Sequence, residues 1–254
     1  MAMLPFALQL YSVRDHLERD SEGALAKVKA MGYDHVEIAG TSGKSADEYK
    51  AMLDRIGLNP ISMHVGYDAL TGNLDAVIAD LRTFGLHFAV VPWLGPPFCP
   101  DKAGWIAAAE AMDAAGARLR EEGIRLCYHN HAHEFERIDG EYILDLIFNH
   151  TKPENLASQL DTCWAHVGGA NPLTMMQKYC GRVPLLHIKD YTGTRDAEGR
   201  VTFVEVGCGC MNWDPIFDAA ASCGVEWLIV EQDESQGDSL ESAAISARFM
   251  AERT

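Results

Sequence analysis

The sequence predicts an α/β protein, a single (β/α)8 TIM barrel occupying residues 1–254. Eight short apolar segments of strand type occur along the chain, and each is followed by a helical pattern. The segments show little alternation of polar and apolar residues, which is typical of parallel strands buried on both faces. Eight strand–helix units in 254 residues match the usual length of a closed barrel.

The elements follow one another at regular intervals. An amphipathic pattern such as Ala24, Leu25, Val28 predicts a helix, and the glycine that follows each such pattern predicts its end. An open doubly wound sheet is the alternative, but the chain after the first strand lacks the glycine-rich loop that such folds use for phosphate. The last helix is predicted over 239–252, and the strands are predicted over 6–10, 36–39, 60–64, 88–91, 125–131, 157–160, 185–188 and 227–230.

Composition excludes several classes of function. Lys and Arg number 21 and Asp and Glu number 37, so the formal net charge is −16. Such a chain repels phosphate backbones, which argues against nucleic acid as a partner. The 7 scattered cysteines do not form an even-numbered disulfide framework, and no apolar run is long enough to span a membrane. We therefore expect a cytoplasmic protein without a membrane partner.

Ionisable residues end three successive strands. Asp161, His187 and Glu231 each lie in or directly after an apolar run. Barrel enzymes place their chemistry at the carboxyl ends of the strands, and a buried carboxylate or imidazole is costly unless it is paired or binds a metal. The three residues therefore predict one divalent metal ion, although each could instead form a structural hydrogen bond. An oxygen-rich ligand set favours Mn²⁺ or Mg²⁺, with Zn²⁺ and Co²⁺ as alternatives.

Several motifs occur in an order that resembles a known family. They are LQLYSVR at 8–14, Gly32-Tyr33 with Val36-Glu37, YHNH at 128–131, HIKD at 187–190 and VEQD at 230–233. Together they resemble the xylose-isomerase-like TIM barrels, the group of sugar phosphate isomerases/epimerases. The resemblance covers nearly the whole chain. It implies one divalent metal held by Glu, Asp, His and Glu from strands five to eight, and Asp161, His187 and Glu231 match three of these positions.

The fourth ligand is open, because the chain has His129-Asn130 where the family often has Glu-Asn. Either His129 replaces the glutamate, or Glu134 reaches back from the loop. We favour Glu134 because it keeps the ligand set rich in oxygen. His129 and His131 would then be free for proton transfer, since alternate residues of a strand face the same side.

Other residues at the predicted strand ends are candidates for contact with substrate. Glu231 is the clearest acid/base candidate, and the Lys189 ammonium is suited to hold a sugar oxygen or an enolate, unless it forms an ion pair with Asp190 or Glu231. Trp93 is suited to stack on a sugar, although packing is an equal alternative. The remaining predicted substrate-binding residues are Gln9, Glu37, His64 and Glu205.

These features predict a metal-dependent isomerase or epimerase that acts through an enediolate. Asp233, Glu234 and Asp238 follow the last strand and would repel a phosphate dianion, so a non-phosphorylated sugar or oxo-sugar is expected. The alternative is a lyase or dehydratase acting on a 3-oxo-glycoside or an inosose. An AP endonuclease and a non-catalytic sugar-binding barrel are further alternatives, and a homo-oligomer is compatible with the resemblance.

Overall fold

A closed barrel of eight parallel strands forms the centre of the computed structural model, which describes residues 4–253. The last strand closes onto the first, with Val230 opposite Leu8. The predicted (β/α)8 fold is thus confirmed, while residues 1–3 and 254 of the predicted domain lie outside the described residues. In chain order β1 to β8 are Phe6–Gln9, His35–Ile38, Asn59–His64, Phe88–Val91, Arg125–His129, Leu156–Asp161, Leu185–Ile188 and Trp227–Val230.

Helices surround the barrel, and several of them end at or near a glycine of the predicted pattern. Gly57 and Gly85 adopt left-handed conformations with φ of 81° and 69°, directly after the third and fifth helices. Between residues 4 and 253, no helix combines the length and the apolar character that crossing a membrane requires. In chain order α1 to α11 are Arg14–Arg19, Ser21–Ala30, Ala46–Ile56, Tyr67–Gly72, Leu74–Phe84, Lys102–Glu121, Ile143–Asn149, Thr162–Val167, Pro172–Lys178, Asp214–Ala220 and Ser239–Ala251.

The structure differs from the sequence prediction at the end of the fifth strand and in two hairpins. The fifth strand ends at His129, so His131 lies in the loop that follows and not on the strand. A hairpin formed by Asp190–Arg195 and Val201–Val204, here called the β7 hairpin, extends from the end of β7. The sequence pattern missed this hairpin because most of its residues are exposed and show no buried apolar run. A second, shorter hairpin pairs Arg137–Ile138 with Glu141–Tyr142.

The interior of the barrel changes from apolar to polar along the strands. The part of the interior nearer the amino ends of the strands is filled by a buried apolar cluster that includes Leu185 and Ile229. Two residues further along the same strands, and therefore on the same face, lie His187 and Glu231. The apolar cluster thus forms the floor on which the polar side chains rest.

Close packing between α6 and the chain before β6 depends on one small residue. A Cβ atom added at Gly116 would lie 1.9 Å from the carbonyl oxygen of Asn155. We expect Gly116→Ala to lower the free energy of unfolding by about 1–3 kcal/mol or more, because neither backbone can move aside without disturbing the packing. Chemical denaturation measures this change.

Gly72→Ala is the matched control, because Gly72 is also helical and a Cβ atom there meets nothing within 4 Å. It should change the stability by less than about 1 kcal/mol. Equal stability of the two variants would contradict the close approach of α6 to Asn155.

Candidate active site

Four buried side chains meet at the carboxyl ends of β5 to β8. His129 ends β5, Asp161 ends β6, His187 lies in β7 and Glu231 follows β8 directly. One ligand atom from each lies within 4.8 Å of those of the other three. Since neighbouring strands bring their ends to the same rim, residues far apart in sequence form one group of two imidazoles and two carboxylates.

Two atoms of this group show that it is suited to hold a metal ion. Asp161 Oδ2 makes no hydrogen bond, its nearest cation is Lys189 Nζ at 3.1 Å, and it lies 3.9 Å from Nε2 of the buried His129 ring. A buried carboxylate oxygen that lacks a hydrogen bond is costly, and a cation placed between this oxygen and the imidazole nitrogen would stabilise both. Burial raises the pKa of Asp161 to about 6, although the charges of Lys189 and His187 act to lower it. A bound cation would favour the ionised form of this carboxyl.

His187 is held between two carboxylates. Its Nδ1 lies 2.8 Å from Glu231 Oε2, and its Nε2 lies 2.7 Å from Glu37 Oε1. Burial opposes a charged ring, yet the two carboxylates outweigh it and raise the pKa of His187 to about 10. The surroundings therefore attract positive charge. Metal-binding histidines commonly donate their second N–H to a carboxylate, and Glu37 is placed for that role.

A polar layer lies beneath the four-residue group. Glu37 Oε2 accepts from Ser62 Oγ and from Gln159 Nε2, each at 2.6 Å, and Gln9 Nε2 donates to Glu37 Oε1 at 2.6 Å. Burial alone would raise the pKa of Glu37, but the charges of His64 and His187 lower it. Gln9 and Glu37 are both fully buried and do not line the cavity described below, so these two predicted substrate-binding residues belong to the layer beneath the group.

Glu134, the favoured fourth ligand, is engaged elsewhere. Its Oε1 accepts from the hydroxyl of Tyr128 at 2.6 Å, and its Oε2 accepts from the backbone N–H of His131 at 2.7 Å. The chain turns through a short 3-10 helix, His133–Phe135, which brings the carboxylate back onto its own loop. Geometry therefore favours the alternative ligand, His129, and gives Glu134 the role of shaping the loop that carries His131.

Lys189 is fully buried and surrounded by carboxylates. Its Nζ lies 2.8 Å from Glu231 Oε2, 3.1 Å from Asp161 Oδ2 and 2.8 Å from Asp233 Oδ1. Burial would lower the pKa of Lys189, but these three charges raise it well above its usual value. The ammonium is thus committed to the carboxylates, as in the ion-pair alternative, and does not reach the cavity above.

A cavity of about 710 Å³ opens above the group. Five of the predicted site residues line it: His64, Trp93, His129, His131 and Glu231. Glu205 does not, because its Oε1 accepts from Ser242 Oγ at 2.7 Å, away from the cavity. Residues that the sequence did not indicate as site residues also line it, namely Tyr11, Arg14, Ala39, Pro92, Trp164, Arg195, Arg200, Val201, Phe203, Asp233 and Glu234.

Two signals could have located part of this missed set. Trp164 follows Asp161 by three residues, and its backbone N–H donates to Asp161 Oδ1 at 2.7 Å. Because Asp161 is the N-cap of α8, a residue in the first turn of that helix lies close to the proposed metal ligand. Strand-type residues such as Tyr, Thr, Val and Phe occur on both sides of the turn at 196–200, which indicates a hairpin near the rim. No local pattern shows that this hairpin folds back over the barrel.

The xylose isomerase-like TIM barrel model matches residues 25–253. The chain belongs to this family. An inosose dehydratase from Geobacillus kaustophilus is 23% identical over 257 residues, which cover 87% of this chain and 82% of the relative. One from Clostridium beijerinckii is 24% identical, covering 93% and 91%. The structure of a sugar phosphate isomerase/epimerase from Parabacteroides distasonis superposes with a TM-score of 0.84 at 26% identity, covering 98% of this chain and 94% of that one.

The two candidates for the ligand from the end of β5 can be separated by metal content. We expect His129→Ala to weaken metal binding strongly, because it removes an atom that binds the metal directly. The loss of affinity should exceed the roughly 10–100-fold that follows when a residue hydrogen-bonded to a ligand is removed. Glu134→Gln should retain the metal, since the amide can still accept from the His131 N–H and donate to the Tyr128 hydroxyl. Elemental analysis after dialysis, with chelator competition, measures both. Loss of metal from the Glu134 variant alone would reverse the assignment.

Glu37 provides a second test, because it contacts the proposed ligand His187 and would not bind the metal itself. Glu37→Gln should weaken metal binding about 10–100-fold, because it removes the carboxylate that holds His187 by its Nε2 atom. Titration with Zn²⁺ or Mn²⁺ against a competing chelator gives the affinity. Glu234→Gln, at an exposed position on the rim, is the control and should bind metal as tightly as the unmodified protein. Unchanged affinity in the Glu37 variant would show that the layer beneath has no influence on the metal.

Proposed function

We propose that the protein is a metal-dependent dehydratase that removes water from an inosose-type cyclic polyhydroxy ketone. The observation that carries the proposal is the group of four donors, His129, Asp161, His187 and Glu231, at the floor of a cavity large enough for a six-membered ring. Inosose dehydratases that match the chain over most of their length support the choice of reaction. This is the lyase alternative of the sequence prediction, and it replaces the isomerase as our main proposal.

A divalent metal, when bound, would acidify the C–H next to a ketone. With His129 in place of Glu134 the ligand set contains two imidazoles. Imidazole is a common ligand of Zn²⁺ and of other transition-metal ions, whereas Mg²⁺ prefers oxygen and water. We therefore propose a transition-metal ion and no longer favour Mg²⁺.

Glu231 is the proposed proton acceptor. It lines the cavity, and although burial opposes its charge, Lys189 and His187 hold its pKa well below the usual value. It is therefore a carboxylate at neutral pH. Lys189 and His187 both contact the same oxygen, Oε2, which orients the group and leaves Oε1 for a proton.

One acid/base group is enough for the elimination, because the proton removed from carbon can be passed on to the leaving hydroxyl. Glu231 takes the proton from the carbon beside the ketone, the C–O bond of the hydroxyl on the next carbon breaks, and the same proton passes to that oxygen, which leaves as water. The enol that remains becomes a ketone when its hydroxyl loses a proton and the carbon that lost the hydroxyl takes one from solvent. His131 lines the cavity beside it, and burial lowers the pKa of its ring to about 4, so it is neutral and suited to orient a hydroxyl.

Isomerisation or epimerisation is the second candidate, favoured by the likeness to the Parabacteroides distasonis sugar phosphate isomerase/epimerase. It begins with the same proton removal, but the proton returns to carbon and no water leaves. A neutral substrate fits the charges of the cavity. Asp233 and Glu234 offset the arginines that line it, and Arg200 is already paired with Asp196 at 2.9 Å.

Incubation with scyllo-inosose in D₂O tests the reaction. We expect the metal-loaded protein to convert it to a product that has lost one water, detected by mass spectrometry, with deuterium from solvent at the carbon beside the ketone. Glu231→Gln, compared at saturating metal, should lower kcat about 10²–10⁴-fold because it removes the proton acceptor. Glu234→Gln, on the rim of the same cavity, should change kcat far less.

The alternatives give different products. A product of unchanged mass that carries deuterium would identify an isomerase or epimerase. Absence of both deuterium exchange and water loss, in protein shown to contain metal, would refute the proposed reaction.

A further inference from the structure

A second cavity adjoins the active-site cavity. Its volume is about 480 Å³, and we call it the side cavity. His131, Trp164 and Arg195 line both cavities, so the two meet along a shared wall. The rest of the side cavity is formed by the loop after β5 and the end of α8, with His133, Phe135, Glu136, Val167 and Gly168 among its lining residues.

The space available exceeds what a single polyol ring fills. An inosose has twelve non-hydrogen atoms and occupies roughly 150–200 Å³ at the density of close-packed organic matter. The active-site cavity alone measures about 710 Å³. A ring placed over the metal-binding group therefore leaves room that continues past Trp164 into the side cavity.

Two residues of the shared wall each have a polar atom without a hydrogen-bond partner. Trp164 Nε1 and His131 Nδ1 are both buried and make no hydrogen bond. Most buried polar atoms in folded proteins are paired, so two unpaired ones on one wall indicate a ligand that would complete them. An indole N–H only donates, and it therefore requires an oxygen or another acceptor.

Arg195 adds further donors at the same place. Its guanidinium donates to the backbone carbonyls of Gly199 at 2.8 Å and Val167 at 3.3 Å. Within residues 4–253, no carboxylate lies within ion-pair distance of it. A guanidinium carries five N–H groups, so donors remain free after these contacts.

Resting on the proposed function, we propose that the side cavity is a second subsite and that the substrate is a glycoside. The reacting ring would lie over the metal-binding group, and a second sugar, linked through oxygen, would pass Trp164 into the side cavity. Aromatic faces and N–H donors are the surface that binds neutral sugars, whose ring faces are apolar and whose edges carry oxygens. Arg195 and Glu136 balance each other in charge, which favours a neutral second group.

Two unreactive polyols test the subsite directly. The probes are myo-inositol and its galactoside, galactinol, which differ only in the second sugar and lack the ketone. With the Zn²⁺-loaded protein, we expect calorimetry to show that galactinol binds at least about tenfold more tightly than inositol, since only galactinol reaches the donors of the side cavity.

Two variants locate the difference. Trp164→Phe keeps an aromatic ring against Phe203, whose ring centre lies 5.2 Å away, but removes the indole N–H. It should weaken galactinol binding about 3–10-fold and inositol binding much less. Val167→Phe fills the side cavity and should weaken galactinol alone, while Val167→Ala, which adds no bulk, serves as its control.

The outcomes separate this inference from the proposed function. Equal binding of the two polyols, or equal weakening of both by Trp164→Phe, would overturn the second subsite and leave the dehydratase proposal standing. Binding of neither polyol to the loaded protein would count against both. A galactinol preference in a protein that fails to dehydrate inosose would support the subsite and point the reaction to another oxo-sugar.

Discussion

The structure of the site depends on the cost of placing charge inside a closed barrel. His187 lies between Glu37 and Glu231 with both ring nitrogens in hydrogen-bond contact, and the ring is fully buried. Water cannot solvate these groups, so each must be neutralised by another protein group or by a bound cation. The line from Glu37 through His187 to Glu231 thus fixes the orientation of the imidazole and favours positive charge at the rim.

The layers above and below follow from this constraint. Below, the apolar cluster around Leu185 and Ile229 closes the barrel to water. At the carboxyl ends of the strands, the buried Lys189 ammonium compensates the carboxylates of Asp161, Glu231 and Asp233 and lies outside the cavity lining. Three carboxylates of the site thus share one ammonium, and His187 lies between two carboxylates, so the buried acids are compensated by shared cationic partners.

Residues at the strand ends could be predicted because their signal is local. Asp161, His187 and Glu231 interrupt apolar runs, and the structure brings all three into one group. Gln9 and Glu37 gave the same signal, yet they lie in the layer beneath. A strand pattern shows which face a residue occupies but not its depth, because depth depends on how far neighbouring strands are staggered in the closed barrel.

The eight-fold strand–helix repeat, the polar strand ends and the balance of charge could all be predicted without the structure, because each depends only on local spacing or on composition. Tertiary structure decided that His129 joins the donor group while Glu134 bonds to Tyr128 and its own loop. It also decided that the β7 hairpin and Trp164 form the walls of the two cavities. These outcomes depend on the paths of loops and on distances across the barrel. They could not be predicted because contacts between residues far apart in the chain produce no regular spacing in the sequence.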